Sequence, residues 1–323
     1  MAFVWRLVRG RFTTVPYPEE NCSGRTVIIT GANSGLGREA SRHFARLGAA
    51  KIIIGCRNLD KGEEAKKDIE ETTVKKGVVE VWQLDLASFD SVREFGARVD
   101  KLERVDILID NASFLTFKRQ LLEGHESMLT VNVISTYLLT VLVLPSLRRT
   151  ASKFNITPHI VVVSSDAAFL SPLPERKEDN IFKALDAKSD VMERYNITKL
   201  LQVMLMSQLA QAVDASGKGH IILNALHPGL CGTHLFDGVP FPFNLIFQLA
   251  LAVLSRSAEM GSRTLVAAAL AGEETHGGFM SDAKVHPVPK IMQGEEGEKL
   301  SKRVWEELLE ILEGIEVGVT KNI

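Results

Sequence analysis

The chain has 323 residues, of which 45% are hydrophobic and 24% charged, an ordinary globular composition that excludes disorder and collagen-like structure. Its 38 Lys and Arg residues against 40 Asp and Glu residues give a net charge of −2, so global electrostatics predict no nucleic-acid partner and no anionic membrane. Length alone, at about 150 residues per domain, suggests two domains. Cys22, Cys56 and Cys231 form neither a CxxC pair nor a disulfide framework, so a reducing, cytoplasmic location is expected.

Two segments bear on membrane contact. The apolar stretch 241–254 is too short to span a bilayer. Residues 1–15 lack the apolar core of a secretory signal, so we expect no stable membrane insertion. The segment 1–22 mixes apolar residues with Arg6, Arg9 and Arg11. It is interpreted as an arm that packs on the body or frays, with peripheral membrane contact as the alternative.

Apolar runs of strand length alternate with helical patterns along the chain. Continuous apolar strands separated by helices are typical of a parallel sheet covered on both faces, here a doubly wound α/β sheet of the Rossmann type. The predicted strands are 25–30, 51–55, 78–84, 105–109, 160–163 and 221–225. The predicted helices are 38–47, 61–73, 88–102, 124–149, 195–213, 255–270 and 296–315. The polar stretch 172–194 is read as the largest irregular insertion.

The segment TGANSGLG, residues 30–37, joins the first strand to the first helix. Glycines let the backbone turn tightly and approach a pyrophosphate, and a helix N-terminus favours an anion. The alternative is that glycine serves only the strand-to-helix turn. The predicted dinucleotide contacts in this loop are Gly31, Asn33, Ser34, Gly35, Leu36 and Gly37.

Arg57 follows the second predicted strand, and no Asp or Glu occupies positions 51–59. An acidic residue here would bind a ribose 2′-hydroxyl, whereas arginine suits a 2′-phosphate, so NADP(H) is favoured over NAD(H). The alternative is a solvated loop charge. Asp85, before Leu86, would accept from the adenine amino group or cap a turn. The small pair Asn111 and Ala112 follows the fourth strand, where the backbone would approach the cofactor.

Tyr195 and Lys199 are four residues apart on a predicted helix and share one face. A tyrosine that acts as an acid or base near neutral pH needs a lowered pKa, which a nearby ammonium would provide. Ser164 and Ser165 end the fifth strand, at the edge where α/β sites gather. Asn132 interrupts an apolar helical run, either as a core amide or as a site residue.

Together these motifs resemble the short-chain dehydrogenase/reductase family over residues 25–233. The segment GCRNLDKGEEA at 55–65 and the gap from Ser165 to Tyr195 are similar to the retinol-dehydrogenase-like branch, and the C-terminal segments are similar to its fungal secondary-metabolism members. Because the motifs run across one sheet, residues 23–323 are expected to form a single domain. The segments that carry the resemblance are TGANSGLG at 30–37, Asp85, DNAS at 110–113, Asn132, SS at 164–165, YNITK at 195–199 and HPGLCGT at 227–233.

The resemblance implies a catalytic tetrad of Ser165, Tyr195, Lys199 and Asn132. Ser165, the second serine of its pair, would hold the substrate oxygen, and Tyr195 would exchange a proton with it. Lys199 would bind the nicotinamide ribose and lower the tyrosine pKa. Asn132 would hold a water in a proton relay from the lysine to solvent. The nicotinamide end of the cofactor would be flanked by Pro228, Gly229 and Thr233.

Two positions depart from the family pattern. Where Asn-Asn-Ala-Gly is usual, this chain has DNAS at 110–113. Asp110 replaces a residue that supports the central strands, and Ser113 replaces a glycine beside the cofactor. Weaker cofactor affinity is one expectation, and a backbone donor for the Asp110 carboxylate is the other.

The expected function is NADP(H)-dependent hydride transfer to an apolar carbonyl compound, with reduction favoured. The apolar segment 235–256 would form a helical cap over that substrate, with core or dimer packing as the alternative. Alcohol oxidation, or a nucleotide-binding scaffold that has lost turnover, are the other functions considered. The resemblance allows a homodimer or homotetramer. The histidine spacing predicts no metal site.

Overall fold

The computed structural model describes residues 13–188, 190–232 and 254–323. The strands are β1 Thr26–Thr30, β2 Lys51–Cys56, β3 Val79–Gln83, β4 Ile107–Asp110, β5 Leu121–Leu122, β6 His125–Glu126, β7 His159–Val163, β8 Ile222–His227, β9 Phe279–Ser281 and β10 Lys284–His286. The helices are α1 Gly35–Arg46, α2 Leu59–Thr73, α3 Phe89–Asp100, α4 Ser127–Phe154, α5 Ile181–Ala187, α6 Arg194–Ser216, α7 Ala258–Ala269 and α8 Gly294–Ile315.

The central sheet has the order β10-β9-β8-β7-β4-β1-β2-β3 among the described residues. Neighbouring strands are parallel except for β9 and β10, which are antiparallel. The apolar core lies in two layers, one beneath α1, α2 and α7 and the other beneath α3, α4, α6 and α8. The predicted doubly wound α/β fold is therefore confirmed, as one domain built on one sheet.

The structure corrects three details of the sequence prediction. The strands β9 and β10 were not predicted, because they are only three residues long and carry no extended apolar run. The stretch 172–194 is not wholly irregular, since it holds a 3-10 turn and the helix α5, which Asn180 caps at its N-terminus. The helix predicted from 124 extends to Phe154.

The helix α4 is long and apolar enough to cross a membrane by length and composition alone. Of its most apolar window, 89% is buried inside the protein, so its apolar character is explained by packing between β4 and α6. The apolar segment 241–254 was singled out from the sequence, whereas α4 was not considered as a membrane span. That predicted segment lies mostly outside the described residues, as do residues 1–12 of the N-terminal arm.

The described part of the N-terminal arm packs on the body. Val15 is buried, and its carbonyl accepts a hydrogen bond from Arg263 Nη1 on α7 at 2.9 Å. The Tyr17 ring lies 4.2 Å from the Arg46 guanidinium on α1 and makes an edge contact with His43. Residues 13–22 thus cover the outer face of α1 and α7.

Strand register places the predicted site segments at one edge. Thr30 pairs with Gly55, Asp110 with Val162 and Val163 with Leu226, so the parallel strands end at nearly the same level. The loops that follow β1, β2, β4, β7 and β8 therefore meet at the carboxyl edge, where ligands bind in open α/β sheets.

Candidate active site

The glycine loop between β1 and α1 packs against the turn after β4. Gly31 has φ +67°, and a Cβ there would lie 2.9 Å from the Ala112 Cα. A Cβ on Gly37 would lie 2.6 Å from Asn111 Nδ2. The loop and the turn therefore fit together only because these positions carry no side chain.

Thr30, which sequence reasoning did not single out, fixes that turn. Its Oγ1 accepts hydrogen bonds from the backbone N–H groups of Asn111 and Ala112, both at 3.0 Å. Asn111 Nδ2 donates in return to the Thr30 carbonyl at 2.8 Å. The only sequence signal for Thr30 was its place at the end of a buried strand. Asn111 and Ala112 thus shape the loop as well as facing the edge of the sheet.

The N-terminus of α1 is open. Ser34, at its N-cap position, makes no side-chain cap, and the first turn holds no acidic residue. By contrast Asn58, Ser88 and Ser257 accept backbone hydrogen bonds at the starts of α2, α3 and α7. The free N–H groups and the positive end of the helix dipole fit a diphosphate. The other predicted loop contacts, Asn33, Gly35 and Leu36, are half-buried beside this terminus.

The residues after β2 and β3 lie at the same edge. Arg57 is exposed directly after β2, and its carbonyl accepts a hydrogen bond from Gln83 Nε2 at 3.1 Å. Asp85 Oδ1 accepts from the Ala87 N–H at 3.0 Å, so this side chain caps a turn, one of its two predicted roles. Leu86 is buried in the core beneath α3 and α4.

The structure brings Ser165 and Tyr195 together. Ser164 Oγ donates to the Lys199 carbonyl at 2.8 Å, so the first serine is committed to the α6 backbone. Ser165 begins the 3-10 turn after β7, and its side chain lies close enough to the Tyr195 hydroxyl to lower the pKa of that group. The Ser113 side chain lies beside the same hydroxyl and also lowers its pKa. Of the two adjacent serines, the second is the one that reaches the tyrosine.

Lys199 is buried behind the tyrosine. Its Nζ donates to the Val163 carbonyl at 2.9 Å and to Gln202 Oε1 at 3.1 Å, and lies 5.6 Å from the centre of the Tyr195 ring. Burial lowers the pKa of Lys199 to about 7. Burial raises the pKa of Tyr195, and the smaller lowering effect of the Ser165 and Ser113 side chains does not offset it. The expected lowering of the tyrosine pKa was wrong for this structure, because desolvation outweighs the neighbouring groups.

Asn132 lies in a π-helical stretch of α4, residues Thr130–Ser135. Its Oδ1 accepts from the Phe114 N–H at 2.8 Å and from Ser113 Oγ at 3.3 Å. Its Nδ2 donates to the Phe114 carbonyl at 2.9 Å and to Thr198 Oγ1 at 3.2 Å. The asparagine therefore joins the loop after β4 to the helix that carries the tyrosine and lysine.

Asp110 ends β4 as a buried carboxyl. Oδ2 accepts from Thr140 Oγ1 at 2.8 Å, while Oδ1 has no hydrogen-bond partner. The predicted backbone donor for this carboxyl is not found, and burial raises the pKa of Asp110 to about 7. Below neutral pH the residue is therefore largely the neutral acid, which has nearly the shape of asparagine.

The loop after β8 is held by contacts with Arg256, which lies just before α7. Gly229 has φ +80°, and its N–H donates to His227 Nδ1 at 3.2 Å. Arg256 contacts the Pro228 carbonyl through Nη1 at 3.4 Å and forms a 2.5 Å ion pair with Asp282. Thr233, predicted at the nicotinamide end, lies outside the described residues. Among the residues that are described, no group of three His, Cys, Asp or Glu could hold a metal ion.

Comparison with known sequences finds close relatives over nearly the whole chain. A family model described as short chain dehydrogenase matches residues 25–175. A short chain dehydrogenase/reductase of Cryptosporiopsis sp. is 42% identical, over 96% of this chain and 97% of that protein. A short-chain dehydrogenase of Penicillium roqueforti is 38% identical, over 95% of this chain and 82% of that protein. One from Emericella nidulans is 40% identical, over 87% and 91%.

Solved structures share the fold. An uncharacterized protein of Mycobacterium paratuberculosis superposes with a TM-score of 0.66 at 26% identity, covering 91% of this chain and 95% of that one. A protein of Beutenbergia cavernae, described as an NAD(P)-dependent gluconate 5-dehydrogenase, gives a TM-score of 0.61 at 22% identity, over 82% and 97%.

Proposed function

Because the chain belongs to the short-chain dehydrogenase/reductase family of oxidoreductases, we propose that it catalyses NADP(H)-dependent reduction of an apolar ketone or aldehyde. The similarity to fungal members expected from the sequence is confirmed by the relatives. The observation that carries the proposal is the Tyr195 hydroxyl at the carboxyl edge of the sheet. It lies beside the Ser165 side chain, which lowers its pKa, and has Lys199 one helical turn behind it.

The cofactor proposal rests on three features of the carboxyl edge. The uncapped α1 terminus offers N–H groups to a diphosphate, and the loop from Gly31 to Gly37 leaves room for a close backbone approach. The Arg57 side chain is exposed beside them, where a 2′-phosphate would bind. Solved neighbours described as holding NADP or NADPH are consistent with this choice.

The bound nicotinamide would supply the hydride, and the residues of the chain would position and protonate the substrate. Ser165 would donate a hydrogen bond to the carbonyl oxygen. Tyr195 would give the oxygen its proton as the hydride arrives at carbon. Since burial raises the pKa of Tyr195, the hydroxyl is protonated near neutral pH, the form that reduction needs. Alcohol oxidation would use the same residues in the opposite order.

The substrate proposal is an apolar carbonyl compound, such as an intermediate of secondary metabolism. The segment 235–256 follows the Pro-Gly loop and is rich in Leu, Ile and Phe. This segment would cover the site, and the ion pair between Arg256 and Asp282 anchors its C-terminal end.

We further propose that residues 23–323 form one domain, that the protein is a homodimer or homotetramer, and that it is cytoplasmic. Sedimentation would check the assembly, and microscopy of the tagged protein would check the location.

The catalytic proposal is tested by replacing Tyr195 with phenylalanine. The variant should bind NADPH but fail to reduce any member of a panel of apolar ketones and aldehydes that the unaltered protein reduces. Tyr17→Phe is the matched control, because Tyr17 is exposed on the N-terminal arm. Unchanged turnover in Tyr195→Phe would remove the tyrosine as proton donor. A protein that binds NADPH but reduces nothing would favour the scaffold alternative.

The cofactor proposal is tested at Arg57. The substitution Arg57→Asp should weaken NADPH binding by about 10- to 100-fold, the loss expected for one hydrogen-bonded charge pair, and leave NADH binding unchanged or improved. Lys61→Asp, in the first turn of α2 and also exposed, is the control for a general loss of positive charge. An equal loss for both nucleotides would show that Arg57 does not read the 2′-phosphate.

A further inference from the structure

Gln202 lies on α6 one turn after Lys199, where it contacts two members of the tetrad. Its Oε1 accepts a hydrogen bond from Lys199 Nζ at 3.1 Å. Its Nε2 donates to the Asn132 carbonyl at 2.7 Å. All three side chains are about 1% exposed or less. Gln202 therefore bridges the buried lysine and the π-helical turn of α4.

The orientation of this amide follows from its two partners. The ammonium can only donate and the Asn132 carbonyl can only accept, so a rotated amide would put like atoms together at both ends. The Gln202 backbone is also held, because Tyr137 Oη donates to its carbonyl at 2.5 Å. The bridge is thus fixed from both sides of the α4–α6 interface.

We infer that Gln202 is a positioning residue that sets the place and charge state of Lys199. This rests on the proposed function, in which Lys199 acts with Tyr195. The resemblance assigns the link between the lysine and Asn132 to a water that passes protons. Here a side-chain amide spans the same two groups, and an amide has no proton that dissociates near neutral pH. The bridge therefore holds the lysine without carrying its proton onward.

The protonation state of Lys199 depends on its hydrogen bond to Gln202. Burial lowers its pKa to about 7, so both protonation states are populated near neutrality, and an acceptor on Nζ favours the ammonium. Among the described residues no carboxylate lies within 4 Å of Nζ, which leaves Gln202 and the Val163 carbonyl as its acceptors. The titratable groups on the elements packed around it are Tyr195 on α6, Tyr137 on α4, Asp110 on β4, Asp166 after β7 and His227 on β8.

Two substitutions make opposite predictions. Gln202→Met keeps the length and loses both hydrogen bonds, so the ionisation that governs kcat/KM should move to lower pH. Gln202→Glu places a carboxyl group against the ammonium, so the same ionisation should move to higher pH. In Gln202→Met, kcat/KM should fall about 10- to 100-fold, as for the loss of a hydrogen bond to a charged group. The pH dependence of the NADPH dissociation constant, read from nucleotide fluorescence, should shift in the same directions.

Gln208→Met is the matched control, since Gln208 is buried on the same helix nine residues after Lys199. A general packing defect would lower kcat in both Gln202 variants without opposite shifts. Shifts in one direction, or none in either profile, would overturn the inference. If one variant does not fold, the direction of shift in the other decides. Tyr195→Phe is measured in the same assays. If Tyr195→Phe loses turnover but the Gln202 variants show no pH shift, only this inference is refuted. If Tyr195→Phe retains turnover, the proposed function is refuted.

Discussion

Replacing Asp110 with asparagine should stabilise the protein, and more so as the pH rises. The buried carboxyl has its pKa raised from 3.8 to about 7. In the unfolded chain the group ionises near its ordinary value, so the folded state binds the proton more tightly. Native stability therefore falls as pH rises from about 4 to about 7 and is level above that range. The rise of the pKa from 3.8 to about 7 corresponds to about 4 kcal/mol of lost stability above pH 7.

Asparagine keeps the shape and can still accept from Thr140, but it does not ionise. Urea unfolding of both proteins at pH 5 and pH 8 measures the effect, and the gap between them should widen by about 2–3 kcal/mol across that interval. Asp179→Asn, at an exposed position, should change stability by less than about 0.5 kcal/mol at either pH. A gap that stays constant between pH 5 and 8 would refute a buried, strongly shifted Asp110.

Two further substitutions test the contacts around the tyrosine. Arg194→Met should cost about 3–5 kcal/mol in urea unfolding, because it leaves the fully buried Glu126 carboxylate without its ion-pair partner; a loss below about 1 kcal/mol would contradict that pairing. Ser113→Gly removes a side chain that lies beside the Tyr195 hydroxyl and lowers its pKa. It should lower the rate of alcohol oxidation about tenfold and move its pH midpoint upward, and an unmoved midpoint would dismiss the contact.

The fold followed from the sequence because its parallel strands are continuous apolar runs that only a sheet covered on both faces explains. Elements held by tertiary contacts did not follow. The helix α5 depends on Glu307, more than a hundred residues away, which accepts from the Ile181 and Phe182 N–H groups. No local sequence pattern indicates a hydrogen-bond partner that lies so far away in the chain.

The site was also predicted only in part, because local spacing and motif order are visible in the sequence and tertiary contacts are not. Spacing placed Tyr195 and Lys199 on one helical face, and motif order placed Ser165 at the strand end. The bridging role of Gln202 was invisible, because a glutamine in a helix is ordinary and its partner Asn132 is 70 residues earlier. Ser113 was noticed only as a departure from a family pattern, and its contact with the tyrosine appears only when α4, α6 and the loop after β4 are brought together.

The most direct test of the account follows the hydride itself. NADPH deuterated at C4 of the nicotinamide is supplied with an apolar ketone, and the alcohol product is examined by mass spectrometry. The unaltered protein should place deuterium on the carbinol carbon, and Tyr195→Phe should form no labelled product while binding NADPH within about twofold of the original affinity. Labelled alcohol formed by the variant at the original rate would contradict the assignment of Tyr195 as the proton donor.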